Sequence, residues 1–483
     1  MFEDLDDAAV LDELAAAARH ENIACARRFA AIGEIYARRA PEEDVERLCW
    51  AVDGHANVVA EISAALSISR GRAAGQLRYA IALRDELPNV AEVFGTGAFD
   101  FRVMAALVNR TALVDDPERM ARVDAELARR AAKWTRLSGP KLDERIDMVI
   151  TSIDPDGIRV PNKTIEDRHI DIAPTNPGMA GIWANIESPD AAALDKALDG
   201  LAATVCPNDP RTSKQRRADA VGALAGYRRS LPCRCGSDDC PARGADRPVS
   251  NVVIHVLAEQ ATLNGTSQSP GYVPGYGALP AGQVRDLAAT AKVKPVIIPP
   301  AAAEAGYRPS AALAEFIRLR DLTCRFPGCD QPAEVCQIDH TIPHPVGPTH
   351  PSNLKLYCPH HHMIKTFYVG DGGWTDRQLP DGTVRFTAPS GQTYTTRPGG
   401  ALFFPVLGTP TGTIEVPRTA GPHRPGRETM MPRRKQTRSQ GRAARIAAER
   451  RINHERNTAQ AREQQDGLAA NHAPAANDEP PPF

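Results

Sequence analysis

The chain has 483 residues, 42% hydrophobic and 24% charged, with a formal net charge of −1. That length exceeds one ordinary core and predicts roughly two or three domains, and the composition is that of a soluble globular protein rather than a fibrous or membrane one. The small net charge hides a split: Arg418 to Arg462 hold thirteen Lys and Arg against Glu428, Glu449 and Glu455, a surplus of ten, so the remainder is mildly acidic.

The opening MFEDLDDAAVLDEL is acidic and lacks a basic leader followed by an apolar core, so no secretory signal is expected. No apolar run approaches the ~18 residues of a membrane span. A cytoplasmic protein is therefore expected. Seven of the ten cysteines (Cys206, Cys233, Cys235, Cys240, Cys324, Cys329 and Cys358) fall in or near tight clusters. In a reducing compartment such clustering favours metal ligation over disulfides. Cys25, Cys49 and Cys336 read as packed small hydrophobes.

From Asp4 to about Lys141, apolar residues recur at three- and four-residue intervals, with breaks at Pro41, Leu87-Pro88, Gly95-Thr96-Gly97 and Pro117. This predicts an α-helical bundle over residues 1–145. Within it, Glu61 to Ala80 reads either as a helix-turn-helix or as an ordinary αα-hairpin, which share the same tight turn. Between Met148 and Ser188 the period shortens to two: DRHIDIAP and MAGIWANIES flank Thr-Asn-Pro-Gly and predict a hairpin. Helices over Asp190 to Val205 and Thr212 to Arg229, then a buried strand in SNVVIHVLAE, complete an α+β segment over 146–262. Arg216 and Arg217 read as surface or salt-bridge residues.

Residues 263–308, rich in Gly, Pro and Ser at their start, predict a linker. Ser310 then caps a short helix, SAALAEFIRLRD, that delivers the chain to Cys324. A module over 309–398 ends in GGWTDRQLPDGTVRFTAPSG, a hairpin about Pro380-Asp381-Gly382. Residues 399–483 predict a disordered basic tail with a transient helix at Gly441 to Arg456. Its arginines are suited either to phosphate neutralisation or to plain solvation.

The chemistry concentrates in 324–366. Cys324-x4-Cys329 and Cys358-x2-His361 carry the ligand types of a closed tetrahedral zinc site. On a helix, His362 is rotated by ~100° from His361 and serves another site. Asp339 and His340 are adjacent on an extended segment and point to opposite sides. A carboxylate and two imidazoles are the groups that a hydrolytic divalent ion and its general base require. The other reading is a purely structural zinc ribbon. His360 is an alternative to either neighbour, and His344 and His350 are expected to face solvent or substrate.

A second metal candidate is Cys233, Cys235 and Cys240, with Cys206 as preferred fourth ligand and His255 or Asp239 behind it; the alternative is a loop of free thiols.

Asp339-His340, Asn353 and His362 resemble an HNH endonuclease module, a ββα-metal fold with an added zinc knuckle. The resemblance implies that Asp339 and His362 bind one catalytic divalent ion, magnesium or manganese with zinc or nickel as alternatives. It further implies that His340 activates water, that Asn353 braces the loop aiming His340, and that Lys365 faces phosphate. More widely, DPRTSKQRRADAVGALA, Cys233-Arg-Cys235-Gly-x4-Cys240-Pro, VVIHVLAEQATL, PGYVPGYG, YRPSAAL and the 324–367 motif resemble the actinobacterial 13E12 repeat family. In that family an uncharacterised helical region precedes a C-terminal HNH domain. The expectation is a mainly α protein with α+β parts: N-terminal helical bundle, central α+β segment, C-terminal ββα-metal module with zinc knuckle, and basic tail. It would cut DNA; the alternative is a non-catalytic DNA-binding or regulatory zinc protein, such as one associated with a mobile element.

Overall fold

The computed structural model describes residues 2–39, 45–158, 168–242, 254–289, 291–368, 373–414 and 431–471. It is mainly α with small antiparallel sheets, and it divides into two compact units: residues 1–161 with 297–483, and residues 162–296.

The first unit starts with α1 (Asp7–Arg39), α2 (Gly54–Leu66), α3 (Arg70–Ile81), α4 (Pro88–Gly95), α5 (Phe101–Arg110), α6 (Pro117–Ala131) and α7 (Gly139–Ile153). Their starts follow ordinary capping chemistry. The side chains of Asp53, Asp100 and Asp116 accept the backbone N–H three residues on, with Pro88 and Pro117 in first turns. Asp124 of α6 does the same from a distance, accepting Asn89 N and Val90 N at 2.9 Å each and so closing the open end of α4. Phe29, Leu77, Phe94, Met104, Leu107, Leu127 and Ile146 sit in one contiguous core. The Glu61–Ala80 stretch is the α2–α3 hairpin. Of its two helices, α2 is buried along almost its whole length, while α3 buries Ala73, Leu77 and Ala80 and leaves Arg70, Arg72 and Arg78 exposed.

The second unit holds β1 (His169–Pro174) and β2 (Ala180–Asn185), antiparallel, then α8 (Ser188–Ala202) and α9 (Ser213–Ala225). The two strands form the hairpin expected from the alternation, and Ile170, Ile172, Ile182 and Trp183 on it are all exposed. Arg217 pairs with Asp195 and Asp199 across α8 and α9. The expected strand in SNVVIHVLAE falls partly outside the described residues; in the rest only Leu257 bridges to Tyr272. The predicted linker is corrected: it contains β3 (Gly271–Val273), β4 (Gly277–Leu279) and α10 (Ala281–Ala288). Gly275 and Gly277, both at positive φ, turn the chain tightly enough to pair strands where composition alone suggested none.

The remaining elements return to the first unit: α11 (Ala311–Asp321), β5 (Gln337–His340), β6 (Leu354–Tyr357), α12 (Pro359–Phe367), β7 (Thr375–Gln378), β8 (Val384–Thr387), β9 (Thr393–Thr396) and α13 (Arg438–Asn471). β5 pairs antiparallel with β6, and α12 follows directly. The regions 1–145 and 309–398, read from the sequence as separate domains, share this one unit. Trp374 Nε1 donates to Asn57 Oδ1 at 3.0 Å, and Tyr368 Oη donates to Val52 O at 3.1 Å. Gly328, at positive φ, lies so close to α2 that a Cβ there would sit 2.5 Å from Ser63 Oγ.

The tail expectation is also corrected. Among the described residues of 399–483, Gly400 and Leu407 pack on α11, and α13 is a 34-residue helix laid on the bundle. Four of the tail's arginines have acidic partners: Arg434 and Arg438 with Asp53, Arg442 with Glu86, and Arg450 with Asp115 and Asp154. Asp154 is wholly buried and accepts Arg119 Nη1 at 3.0 Å and Arg450 Nη1 at 2.6 Å. Charge-assisted bonds to a buried carboxylate contribute about 2 kcal/mol. Asp154→Asn is therefore expected to raise tryptic cleavage within α13 by roughly thirtyfold, the equivalent of that loss. Unchanged cleavage would show that Arg450 does not hold the helix.

Candidate metal centres and the site between β5, β6 and α12

The Cys324-x4-Cys329 turn is shaped by its own backbone, with Cys324 N donating to Gln331 O at 2.8 Å and Cys329 N to Phe326 O at 3.0 Å. Cys358 caps α12 and His361 lies one turn in, so both face this turn. The four ligand atoms lie within 4.8 Å of one another. His361 Nδ1 is 3.6 Å from Cys324 Sγ and 3.3 Å from Cys358 Sγ, and Phe326 stacks on the imidazole with centroids 4.1 Å apart. The donor set fits a closed tetrahedral site: bonds of ~2.3 Å to sulfur and ~2.0 Å to nitrogen give ligand separations of roughly 3.5 Å. Burial, then the neighbouring thiols, push Cys324 well up, while hydrogen bonds from Cys324 and Cys329 pull Cys358 down. His360 is outside this set, its ring edge-on to His361.

In the second unit Cys206, Cys233, Cys235 and Cys240 likewise place four sulfurs within 4.8 Å. Cys206 is thus the fourth member, rather than His255 or Asp239. Both clusters can hold a metal ion such as zinc.

The remaining groups gather along β5. Asp339 lies opposite Lys355 in the strand register. Its Oδ1 is 3.4 Å from His362 Nε2, and its Oδ2 meets Lys365 Nζ and, at 3.5 Å, Lys355 Nζ. His362 Nδ1 is 2.6 Å from Gln337 Oε1; an amide oxygen only accepts, so Nδ1 carries a proton, and Nε2 faces Asp339. Burial alone would raise the Asp339 carboxyl, but Lys355, His362 and Lys365 hold it well below the usual carboxylate range. Burial and then Lys355 pull the Lys365 ammonium down to about 8. Lys365, expected from the resemblance to face phosphate, binds Asp339 and the His340 carbonyl.

His340 points to the other side of β5. Its Nε2 is 2.9 Å from Thr349 Oγ1, whose hydroxyl donates to Gly306 O at 2.6 Å. A hydroxyl that has given its one proton can only accept, so His340 Nε2 carries the proton. Nδ1 then holds the lone pair, and it makes no hydrogen bond among the described residues. The Tyr307 ring stacks on the imidazole at 5.3 Å and 16°. Burial pushes His340 below its ordinary pKa, against the pull of Asp339.

Asn353, fully buried, fixes the connecting loop: Ile342 N donates to its Oδ1 at 2.8 Å, and its Nδ2 donates to Ile342 O and Pro348 O at 3.0 and 2.9 Å. Gly347 passes so near that a Cβ would lie 2.3 Å from Ile342 O. His350, expected to face solvent or substrate, is buried instead, with Nε2 3.0 Å from Ala301 O and Nδ1 accepting Ser352 N at 3.1 Å. His344 stands edge-on to Tyr307. Sequence reasoning missed Gln337, Thr349, Gly306, Tyr307, Lys355 and Asp376. Lys355 is sealed between Asp376 at 2.7 Å and Thr341 at 2.7 Å, and Tyr357 Oη donates to Asp376 at 2.9 Å.

These features define a helical-bundle protein with two thiol-rich metal-type clusters and a histidine–carboxylate site on a two-strand, one-helix unit. The model of a domain of unknown function (DUF222) matches residues 16–321, and the chain belongs to that family. It is 42% identical over 483 residues to "Uncharacterized protein Rv3776" of Mycobacterium tuberculosis, covering 92% of this chain and 90% of that protein. It is also 42% identical over 490 residues to "Uncharacterized protein Rv2100" of the same organism, covering 93% and 88%. No solved structure matches the chain. The family match ends at Asp321, before Cys324, and contains the second cysteine cluster. No helix among the described residues is long and apolar enough to cross a membrane.

Proposed function

We propose that this protein is a metal-dependent endonuclease of the HNH type that hydrolyses DNA phosphodiesters, with a zinc knuckle built on Cys324, Cys329, Cys358 and His361. The observation that carries it is the pairing of Asp339 Oδ1 with His362 Nε2 at 3.4 Å, beside His340 on the same strand. A 3.4 Å separation is the span of two adjacent ligands around one ion with bonds of roughly 2.0–2.1 Å. The donors, one carboxylate oxygen and one imidazole nitrogen whose far side is fixed by Gln337, fit a divalent ion. When bound, such an ion would stabilise the charge that develops on the scissile phosphate.

The chain's own groups divide the rest of the work. His340 Nδ1 holds the lone pair able to take a proton from attacking water, and Thr349 keeps the other nitrogen protonated. Asn353 holds the 341–353 loop so that the imidazole keeps its direction. Lys355 and Lys365 keep Asp339 ionised. The two-strand and one-helix order, with this residue set, is similar to HNH modules and to the 13E12 repeat family.

One observation favours the second reading, a non-catalytic DNA-binding or regulatory zinc protein: both lysines occupy Asp339 Oδ2, leaving a single oxygen for an ion. Supercoiled plasmid incubated with magnesium, manganese, nickel or zinc separates the two. Nicking that chelator abolishes supports the nuclease. DNA retention without cleavage under every ion rejects it.

A further inference from the structure

We propose that Cys206, Cys233, Cys235 and Cys240 bind a structural zinc ion that folds the second unit, independently of the nuclease reading and of the Cys324 knuckle. The four sulfurs come from two loops: one leaves α8, and the other follows α9. They converge within 4.8 Å, with Cys206 and Cys233 sulfurs 3.5 Å apart. A tetrahedral zinc with four bonds of ~2.3 Å sets its sulfurs roughly 3.8 Å apart, close to what is seen. A disulfide needs sulfurs at ~2.05 Å, and all four thiols are free.

The loops are held in this arrangement by groups other than the cysteines. Arg211 bridges Asp209 and Asp219 and donates to Pro232 O at 2.7 Å, and Asp209 accepts Arg234 N at 2.8 Å. Leu231 N donates to Thr204 Oγ1 at 2.9 Å. These bonds set Cys206 and Cys233 beside each other. Gly236, at positive φ, turns the chain between Cys235 and Cys240.

A separate observation bears on what such an ion would do. Among the described residues, the core cluster of this unit is Leu201, Val205, Ala220, Ala223 and Leu231, against which Cys233 packs. With Ala202, Leu257, Leu279, Ala281 and Val284, ten apolar side chains of the unit of residues 162–296 are buried among the described residues, four of them alanines, which is little apolar area for its length. Units with so thin a core use a disulfide or a metal as a staple, and binding to a site formed only in the folded state is itself folding free energy.

Zinc would be counted on the full chain purified under reducing conditions, beside Cys240→Ser, the double variant Cys233→Ser/Cys235→Ser, and Cys329→Ser. Expected is one equivalent less zinc in each second-unit variant than in wild type. Hydrogen exchange should show lost protection in α8 and α9 with α2 and β6 unchanged. Cobalt substitution of Cys329→Ser should give the thiolate-to-metal absorption of a four-sulfur site. Zinc content unchanged in the double variant would overturn the proposal, as would a native disulfide among the four. Cys329→Ser reads the knuckle separately, so failure at one cluster is distinguishable from failure at the other.

Discussion

Replacing His340 with alanine is expected to lower plasmid cleavage by a factor of about 10²–10⁴ under single-turnover conditions, the usual contribution of a positioned general base. The protein should keep its zinc, because His340 is not among the Cys324 ligand set, while the lost Tyr307 stacking and Thr349 hydrogen bond lower its melting temperature. Activity within tenfold of wild type would remove His340 from the mechanism. Thr349→Val refines the test, since it preserves volume and takes away both the acceptor for Nε2–H and the donor to Gly306 O. A loss of about tenfold is expected, reversed by Thr349→Ser. Nitrogen-detected imidazole spectra of the resting protein, recorded above the His340 pKa, give a readout that does not need cleavage: a proton on Nε2 in wild type. A proton on Nδ1 would contradict the hydrogen-bond assignment whether or not the protein cuts DNA.

The parts of this site that were legible in the sequence are those whose partners are close along the chain. Cys324-x4-Cys329 and Cys358-x2-His361 announce a shared ligand set through spacing, and the structure brings those atoms together. The opposite orientations of Asp339 and His340 follow from strand geometry alone. Thr349, Gly306 and Tyr307 carry no such signal. Gly306 reaches the site because Glu304 pairs with Thr349 across more than forty residues, and Tyr307 comes with it. The region read as a linker thus ends inside the site. The contact of Lys365 with Asp339 was not legible either, because it is set by how α12 lies against β5.

The tail shows the same limit for charge. Its surplus of ten was read as available to solvent or to phosphate. Net charge along a segment says nothing of acids far away in sequence, and Asp53, Glu86, Asp115 and Asp154 lie some 300 residues earlier. Helix-forming arginines with glutamate and alanine between them permit a helix, and docking against those acids lets it persist over Arg438–Asn471. Mild acidity in the body and basicity in the tail were visible together; their pairing was not.

Asp321→Asn is expected to destabilise the first unit by about 3–5 kcal/mol, the range found when one partner of a buried ion network is neutralised. Asp321 is wholly buried with Arg320 and Arg325, which are 1% and 2% exposed. Its Oδ1 accepts Arg320 Nε at 2.8 Å and Arg325 Nη1 at 3.1 Å, and its Oδ2 accepts Leu356 N at 3.0 Å. Arg320 also donates to Pro351 O and Leu354 O at 2.8 and 2.7 Å, so this group fastens α11 to the turn before β6 and thereby to Asn353. Asparagine keeps an acceptor for Leu356 N–H but leaves two buried guanidinium groups without a counter-charge. Burial alone would raise the Asp321 carboxyl, yet Arg320 and Arg325 keep it below its ordinary value. A depressed carboxyl contributes stability above its unfolded pKa and loses it as pH falls through the folded one, so the wild-type advantage should shrink below about pH 4. Chemical denaturation followed by tryptophan emission suits the measurement, because Trp50, Trp134 and Trp374 report the first unit and Trp183 alone the second. If the variant unfolds within about 1 kcal/mol of wild type at neutral pH, Asp321 does not fasten α11, and the orientation of β6 must come from the strand pairing with β5 alone.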